Sequence, residues 1–181
     1  TGRKMAEALA EKYGTHPWAA IYASPLERAL STAAPTAARA GLEVRVEAGL
    51  REIAYGEWEG KPEAEIERTD SVRFHAWSSH PGWVAPPGGE SGAAIAERTL
   101  AVVGLIRDRH ADGDVLVVSH KATLRVLLCA LLGVDLDLFR SRIAQKVCAV
   151  SVVAWRPSGP LVEVLGDESH LPPALREGGG T

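Results

Sequence analysis

The chain has 181 residues, 46% of them hydrophobic, which is material for one domain with a sizeable core. A formal net charge of −3 without a basic stripe excludes a nucleic-acid surface, and charges break every apolar run before bilayer length, so no membrane span is expected. Cys129 and Cys148 sit in apolar runs without metal-type spacing, which predicts packed, reduced thiols, no metal site and a cytoplasmic protein.

"TGRKMAEALAEKYG" sets Met5, Ala8, Leu9 and Tyr13 at helical spacing, with Gly14 placed to close the helix. A parallel sheet normally supplies a strand before such a helix, so part of the domain is expected upstream of Thr1. "WAAIYA" reads as a strand, "SPLERALSTAAPTAARAG" as a helix kinked at Pro35 and closed by Gly41, and "LEVRVE" as a second strand. A loop with Gly56, Trp58 and Gly60 leads to a helix over 63–77 and then to the Pro- and Gly-rich "SSHPGWVAPPGGESG". Ile95, Val102, Val103 and Ile106 mark a long helix over 93–110. The run 115–118 reads as a strand buried on both faces, followed by a helix beginning at Thr123. "VCAVSVVAW" and "LVEVLG", joined by "RPSGP", read as a late hairpin. Strands alternating with helices imply an α/β protein, a three-layer sandwich with a largely parallel central sheet. One domain over 1–171 and a flexible tail over 172–181 are expected.

In open parallel sheets, ligands bind beyond the carboxyl ends of strands, where helix N-termini offer free N–H groups to anions. Two strand-to-helix junctions have suitable residues. At the first, Ser24 is placed to N-cap a helix, Pro25 suits its first position, and Glu27 completes an S-x-x-E box. Arg28 emerges in that first turn, where the helix dipole disfavours a cation, so it reads as facing either an anion or a neighbouring carboxylate. At the second junction, "VVSHKATL" sets His120 and Lys121 where a strand becomes a helix; the imidazole is a packed residue or a phosphate ligand. Glu52 in "LREIAYGEWEG" lies beside Tyr55 and Trp58, aromatic surroundings that would keep a carboxyl protonated for general-acid work, whereas Glu57 and Glu59 read as solvated.

"SPLERALSTA", "LREIAYGEWEG", "PPGGES" with Arg98 downstream, "VVSHKATLRVLL" and "DESHL" together resemble the histidine phosphatase superfamily, the phosphoglycerate mutase-like group, over nearly the whole chain. The resemblance implies a doubly wound α/β fold, no cofactor, and hydrolysis of a small-molecule phosphate ester through a phosphohistidine. It assigns Arg28 to the transferred phosphate, Glu52 to protonation of the leaving oxygen, and His120 to transition-state stabilisation. Two departures accompany it. The Arg-His-Gly motif that holds the family's nucleophile is not in this sequence, so the nucleophile is expected on a segment upstream of Thr1, and the domain here lacks its first strand. Lys121 stands where the family commonly has glycine, and is expected either to point away while its N–H meets phosphate or to add a cation to the site. Phosphoglycerate mutase-type transfer is the alternative within the family; the short chain, and "REIAYGEWEG" where mutases carry an "ERHYG"-like motif, favour a phosphatase. A phosphate-binding protein without turnover is the alternative if Thr1 is the true start, and a homodimer is left open. "GGESGA" also approaches a G-x-S-x-G nucleophile elbow with Ser91, though it follows Pro-Pro rather than a strand. Trp58, Trp77 and Trp83 would either pack together or wall the leaving-group side of the site.

Overall fold

The computed structural model describes residues 1–176. Three parallel strands, β1 (Trp18–Ala23), β2 (Val44–Val46) and β3 (Asp114–Val118), form a sheet in the order β2-β1-β3. Ala23 pairs with Val46 on one side and Val118 on the other, so all three strands end level. That common edge delivers Ser24, Glu47 and Ser119 to one side of the sheet; the Ser24 N–H donates to Val118 O at 3.0 Å and the Glu47 N–H to Ala23 O at 2.9 Å.

Helix α1 (Gly2–Tyr13) packs beside α2 (Glu27–Ala40), whose small residues Ala29, Ala33 and Ala37 lie on Ile21, Ala23 and Val118. Alanines at this spacing let a helix approach a sheet closely. Gly14 closes α1 in a right-handed conformation, φ −66°, and its lack of a side chain serves packing: a Cβ there would strike the Ala10 carbonyl and sit 2.8 Å from Cβ of Arg39. Gly41 closes α2 at φ 67° in the expected left-handed conformation, and α2 continues across Pro35 as one helix. On the opposite face, α5 (Gly92–Arg109) sets Val102 and Ile106 against Ala20, Tyr22 and Leu50. Helix α6 (Lys121–Leu132) packs on α5 through Val126, Leu128 and Cys129. The expected α/β sandwich with a parallel sheet is therefore present.

Several boundaries differ from expectation for physical reasons. The segment expected as one helix over 63–77 is two, α3 (Glu63–Thr69) and α4 (Ser71–Ser79), because Asp70 leaves helical geometry at φ −143°, ψ 45° and its carboxylate is held by Arg73. β2 covers three residues of the expected six. The hairpin strands β4 (Val150–Arg156) and β5 (Gly159–Asp167) pair antiparallel as a separate sheet, with Val153 and Val162 packed against the α5/α6 core. Among the described residues, β3 and β4 each have a strand partner on one edge alone. Within β3 only Val118 is buried, so burial on both faces is not met; a strand paired on one side stays accessible along the other. A short helix α7 (Phe139–Arg142) was not foreseen; Asp135 starts the turn before it by accepting from the Asp137 N–H. Within the segment expected as a tail, Pro173–Arg176 form a helical turn, α8, with Leu175 packed near Met5 and Leu171; 177–181 lie outside the described residues. Both cysteines are free, Cys129 buried and Cys148 half-buried, with burial pushing the Cys148 thiol up to about 11. No helix among the described residues is long and apolar enough to cross a membrane.

Candidate active site

His120, Arg28 and Ser24 meet at the level edge of the sheet. Arg28 Nε donates to His120 Nδ1 at 3.1 Å, and His120 Nε2 lies 2.7 Å from Ser24 Oγ. A guanidinium can only donate, so Nδ1 carries no proton and the imidazole is the neutral Nε2–H tautomer, donating to Ser24. Burial lowers the His120 pKa, and Arg28 lowers it further against the opposing pull of Glu52. The sequence reading of Ser24 as the N-cap of α2 is corrected. Leu26 is the cap residue, without side-chain help, while Ser24 Oγ accepts from the Leu26 N–H at 3.3 Å and serves His120. The S-x-x-E box does not form either, since Glu27 accepts from the Ser31 hydroxyl.

Glu52 arrives from the loop after β2 and docks on the N-terminus of α6. Its Oε1 accepts from the Thr123 N–H at 3.2 Å, from the Thr123 hydroxyl at 3.0 Å and from its neighbour Ile53 N–H at 3.0 Å. Oε2 has one weaker contact, the Ala122 N–H at 3.4 Å. The expected aromatic enclosure is thus replaced by a ring of donors. Trp58 turns instead into a cluster with Ile66 and Trp77, on which Tyr55 packs. α6 begins at Lys121, two residues earlier than expected, which is why its free N–H groups reach Glu52. Lys121 is half-buried, has no hydrogen-bond or ion-pair partner among the described residues, and touches none of Arg28, His120 or Glu52 through a polar contact.

A second network holds the loop that carries Glu52. Glu90 Oε1 accepts from Arg51 Nη2 at 2.8 Å and Arg98 Nε at 2.9 Å, while Oε2 accepts from the Ala54 N–H at 3.1 Å and Arg98 Nη2 at 3.2 Å. Arg98 also donates to Gly49 O at 2.6 Å and Glu52 O at 3.4 Å, so one guanidinium spans both ends of the loop. Burial pushes the Glu90 carboxyl up, but Arg98, the Ala54 amide and Arg51 together hold it below its usual value. The loop also touches the 86–90 turn backbone to backbone, the Glu57 N–H on Pro87 O and the Glu90 N–H on Ala54 O, both at 2.9 Å. Gly56, at φ +58°, permits this approach: a Cβ there would strike Pro87 O and lie 2.5 Å from Gly89 N. Arg51 and Glu90 were missed as site residues, although the spacing of Glu90 to Arg98 within "GESGAAIAER" was the available signal. Ser91, the alternative nucleophile, caps α5 by accepting from the Ala94 N–H at 3.3 Å and has no hydrogen bond to a histidine among the described residues.

The geometry therefore unites motifs spread over nearly a hundred residues into one cluster at a sheet edge. A profile of the histidine phosphatase superfamily (branch 1) matches residues 1–168. The chain belongs to the histidine phosphatase superfamily. It is 38% identical over 140 residues to phosphoserine phosphatase 1 of Hydrogenobacter thermophilus, covering 77% of this chain and 66% of that protein. It is 33% identical over 143 residues to glucosyl-3-phosphoglycerate phosphatase of Mycolicibacterium vanbaalenii, covering 75% and 63%. The solved structure of Bacillus stearothermophilus YhfR superposes with a TM-score of 0.85 at 33% identity, over 93% of this chain and 83% of that one. This histidine phosphatase chain thus spans somewhat under two thirds of the curated relatives' lengths.

Proposed function

We propose that the full protein is a phosphomonoester hydrolase that works through a phosphohistidine, with the nucleophilic imidazole supplied upstream of Thr1. The observation that carries this reading is Arg28 paired with a neutral, buried His120 beside a Glu52 seated on the next helix N-terminus. Arg28 moves from His120 Nδ1 to a non-bridging phosphate oxygen, a stronger, charge-assisted partner. His120, released and now beside a dianion, takes up a proton and donates as well. The upstream imidazole attacks phosphorus, the bond from phosphorus to the ester oxygen breaks, and Glu52 gives its proton to that oxygen. Water then attacks the phosphohistidine, Glu52 takes a proton from the water, and imidazole and inorganic phosphate are released.

Thr123 suits a carboxyl that changes protonation state. Its single hydroxyl proton has two acceptors in range, Arg51 O at 2.8 Å and Glu52 Oε1 at 3.0 Å. With the hydroxyl donating to Arg51, a protonated Glu52 can donate to Thr123; with Glu52 ionised, the hydroxyl can turn to it.

One observation supports an upstream strand: among the described residues β3 and β4 each have a strand partner on one side alone, which leaves backbone N–H and C=O groups available to a further strand. None of the other five histidines contacts Arg28, Ser24 or Glu52: His16 pairs with Asp114, His75 with Glu67, His80 with Asp137, His110 with Tyr22, and His170 packs on Tyr13. The phosphatase names of the relatives favour hydrolysis over mutase-type transfer.

Steady-state hydrolysis of p-nitrophenyl phosphate by the full-length protein tests the reading. Arg28→Ala and His120→Ala are expected to lower kcat/KM by about 10²- to 10³-fold. Glu52→Gln should cost about 10²-fold with an alkyl phosphate and less with the aryl ester, whose leaving group needs little protonation. Near wild-type rates for all three variants would overturn it.

A further inference from the structure

We propose that Ser24 is a positioning residue for His120: its hydroxyl accepts the Nε2–H of the imidazole in every state of the site, which holds Nδ1 toward the phosphate and makes Nδ1 the atom that gains and loses a proton. The proposal deepens the phosphatase reading and rests on it for the arrival of a phosphate beside Arg28.

Sequence and sheet register together put the hydroxyl there. Ala23 and Val118 are partners in neighbouring strands, and the Ser24 N–H donates to Val118 O at 3.0 Å, so the ladder between β1 and β3 runs one residue past the end of β1. Pro25 disfavours helical geometry at the residue before it, which keeps Ser24 extended. His120 is extended as well, at φ −125° and ψ 162°, and stands before the first turn of α6 without capping it through its side chain. The ring is held from two sides instead, by Arg28 at Nδ1 and by Ser24 at Nε2. Ser24 is fully buried and His120 is 6% exposed, so little water competes for their 2.7 Å contact.

The two holds differ in permanence. Arg28 is exposed and leaves Nδ1 for a phosphate oxygen, a charge-assisted partner. From that moment Ser24 alone among the described hydrogen-bond partners keeps the ring from turning. The Ser24 oxygen has two lone pairs, and the Leu26 N–H at 3.3 Å takes the one that the imidazole does not. Its own proton has no acceptor among the described residues, so the hydroxyl does not pass the Nε2 proton on. Nδ1 is left to take up a proton from solvent when the dianion arrives. An imidazolium donates from both nitrogens, and a charged donor makes a bond about twice as strong as a neutral one. Ser24 therefore favours the charged ring over the neutral one. It acts with Glu52 and against burial, Arg28 and Arg98, the other influences on this imidazole.

Ring ¹⁵N NMR of the full-length protein, titrated with inorganic phosphate, reads the proposal without any substitution. Nε2 should carry a proton before and after phosphate is added, and Nδ1 only after. A free protein with the proton on Nδ1, or a phosphate complex in which Nδ1 stays bare, would overturn it. In phosphate-saturated Ser24→Ala the imidazolium should lose its proton about one pH unit lower than in the parent. The same shift should appear in turnover. With p-nitrophenyl phosphate, whose leaving group needs little help from Glu52, the alkaline limb of kcat should move down by about one unit, so that kcat beyond the limb falls about tenfold. A loss of kcat with the limb and the imidazolium pKa both unmoved would make Ser24 a support of the fold alone and overturn the positioning role. Absence of p-nitrophenyl phosphate hydrolysis in the unsubstituted protein would instead overturn the phosphatase reading, with the phosphate titration still deciding Ser24.

Discussion

At His120 Nδ1 a guanidinium N–H arrives where a proton would have to sit, and this decides how the histidine behaves before substrate binds. Removing Arg28 deletes one of the three influences that lower the His120 pKa, leaving burial and the more weakly acting Arg98. NMR titration of the imidazole should therefore show a higher pKa in Arg28→Met than in the parent protein; an unchanged value would mean that the contact is not kept in solution. The same shift has a stability consequence. Because the folded His120 pKa lies below its unfolded value of about 6.5, the stability it contributes is complete above that pH. It is lost as pH falls from there through the folded pKa. Between pH 7 and pH 5, Tm should fall less in His120→Gln than in the parent. Arg28, His120 and Glu52 were legible as candidates because each sits at a fixed place in a short motif. Ser24 was misread for a physical reason: local spacing displays a capping geometry, while the hydroxyl's deciding partner lies 96 residues away. Adjacency in sequence to Tyr55 and Trp58 does not enclose Glu52 either, since both rings turn to the Trp77 cluster while the carboxylate docks on Thr123.

The loop over 48–60 has little regular structure, and the Glu90–Arg98 pair fixes it. Both side chains are 13% exposed, so removing either charge strands the other in a poorly solvated place. Arg98→Met should lower stability by about 3 kcal/mol, read by urea unfolding, and should also reduce kcat, because Gly49 and Glu52 lose their shared anchor. Ser91→Ala makes a contrasting case. As the N-cap of α5 it should cost about 1 kcal/mol of stability and leave kcat unchanged; abolished turnover would return Ser91 to candidacy as a nucleophile. Long periodic elements such as α1, α5 and α6 were visible from apolar spacing alone. The break at Asp70 was not, because the pattern of 63–77 remains helical on both sides of one residue whose carboxylate prefers Arg73 to the helix.

At the scale of the molecule, the five strands among the described residues divide into a parallel three and an antiparallel pair, joined through α5 and α6 rather than through strand-to-strand hydrogen bonds. The alternation of strands and helices announced the sandwich, but composition cannot say which strands pair, so the division was invisible before the fold was known. Val152, Trp155, Leu161, Val164 and Leu165 on the hairpin remain substantially exposed. If an upstream strand joins β3 to β4, residues 1–181 alone should bind the dye ANS and exchange the β3 and β4 amides quickly, while the full-length protein protects them. Full-length protein quenched in alkali during turnover and digested should yield one phosphorylated peptide, stable to base and labile to acid. The phosphate is expected on a histidine upstream of Thr1, and with p-nitrophenyl phosphate, whose leaving group needs little protonation, its yield should rise in Glu52→Gln, where the water step is slowed. Continued turnover with no such adduct, or an adduct on His120, would contradict it.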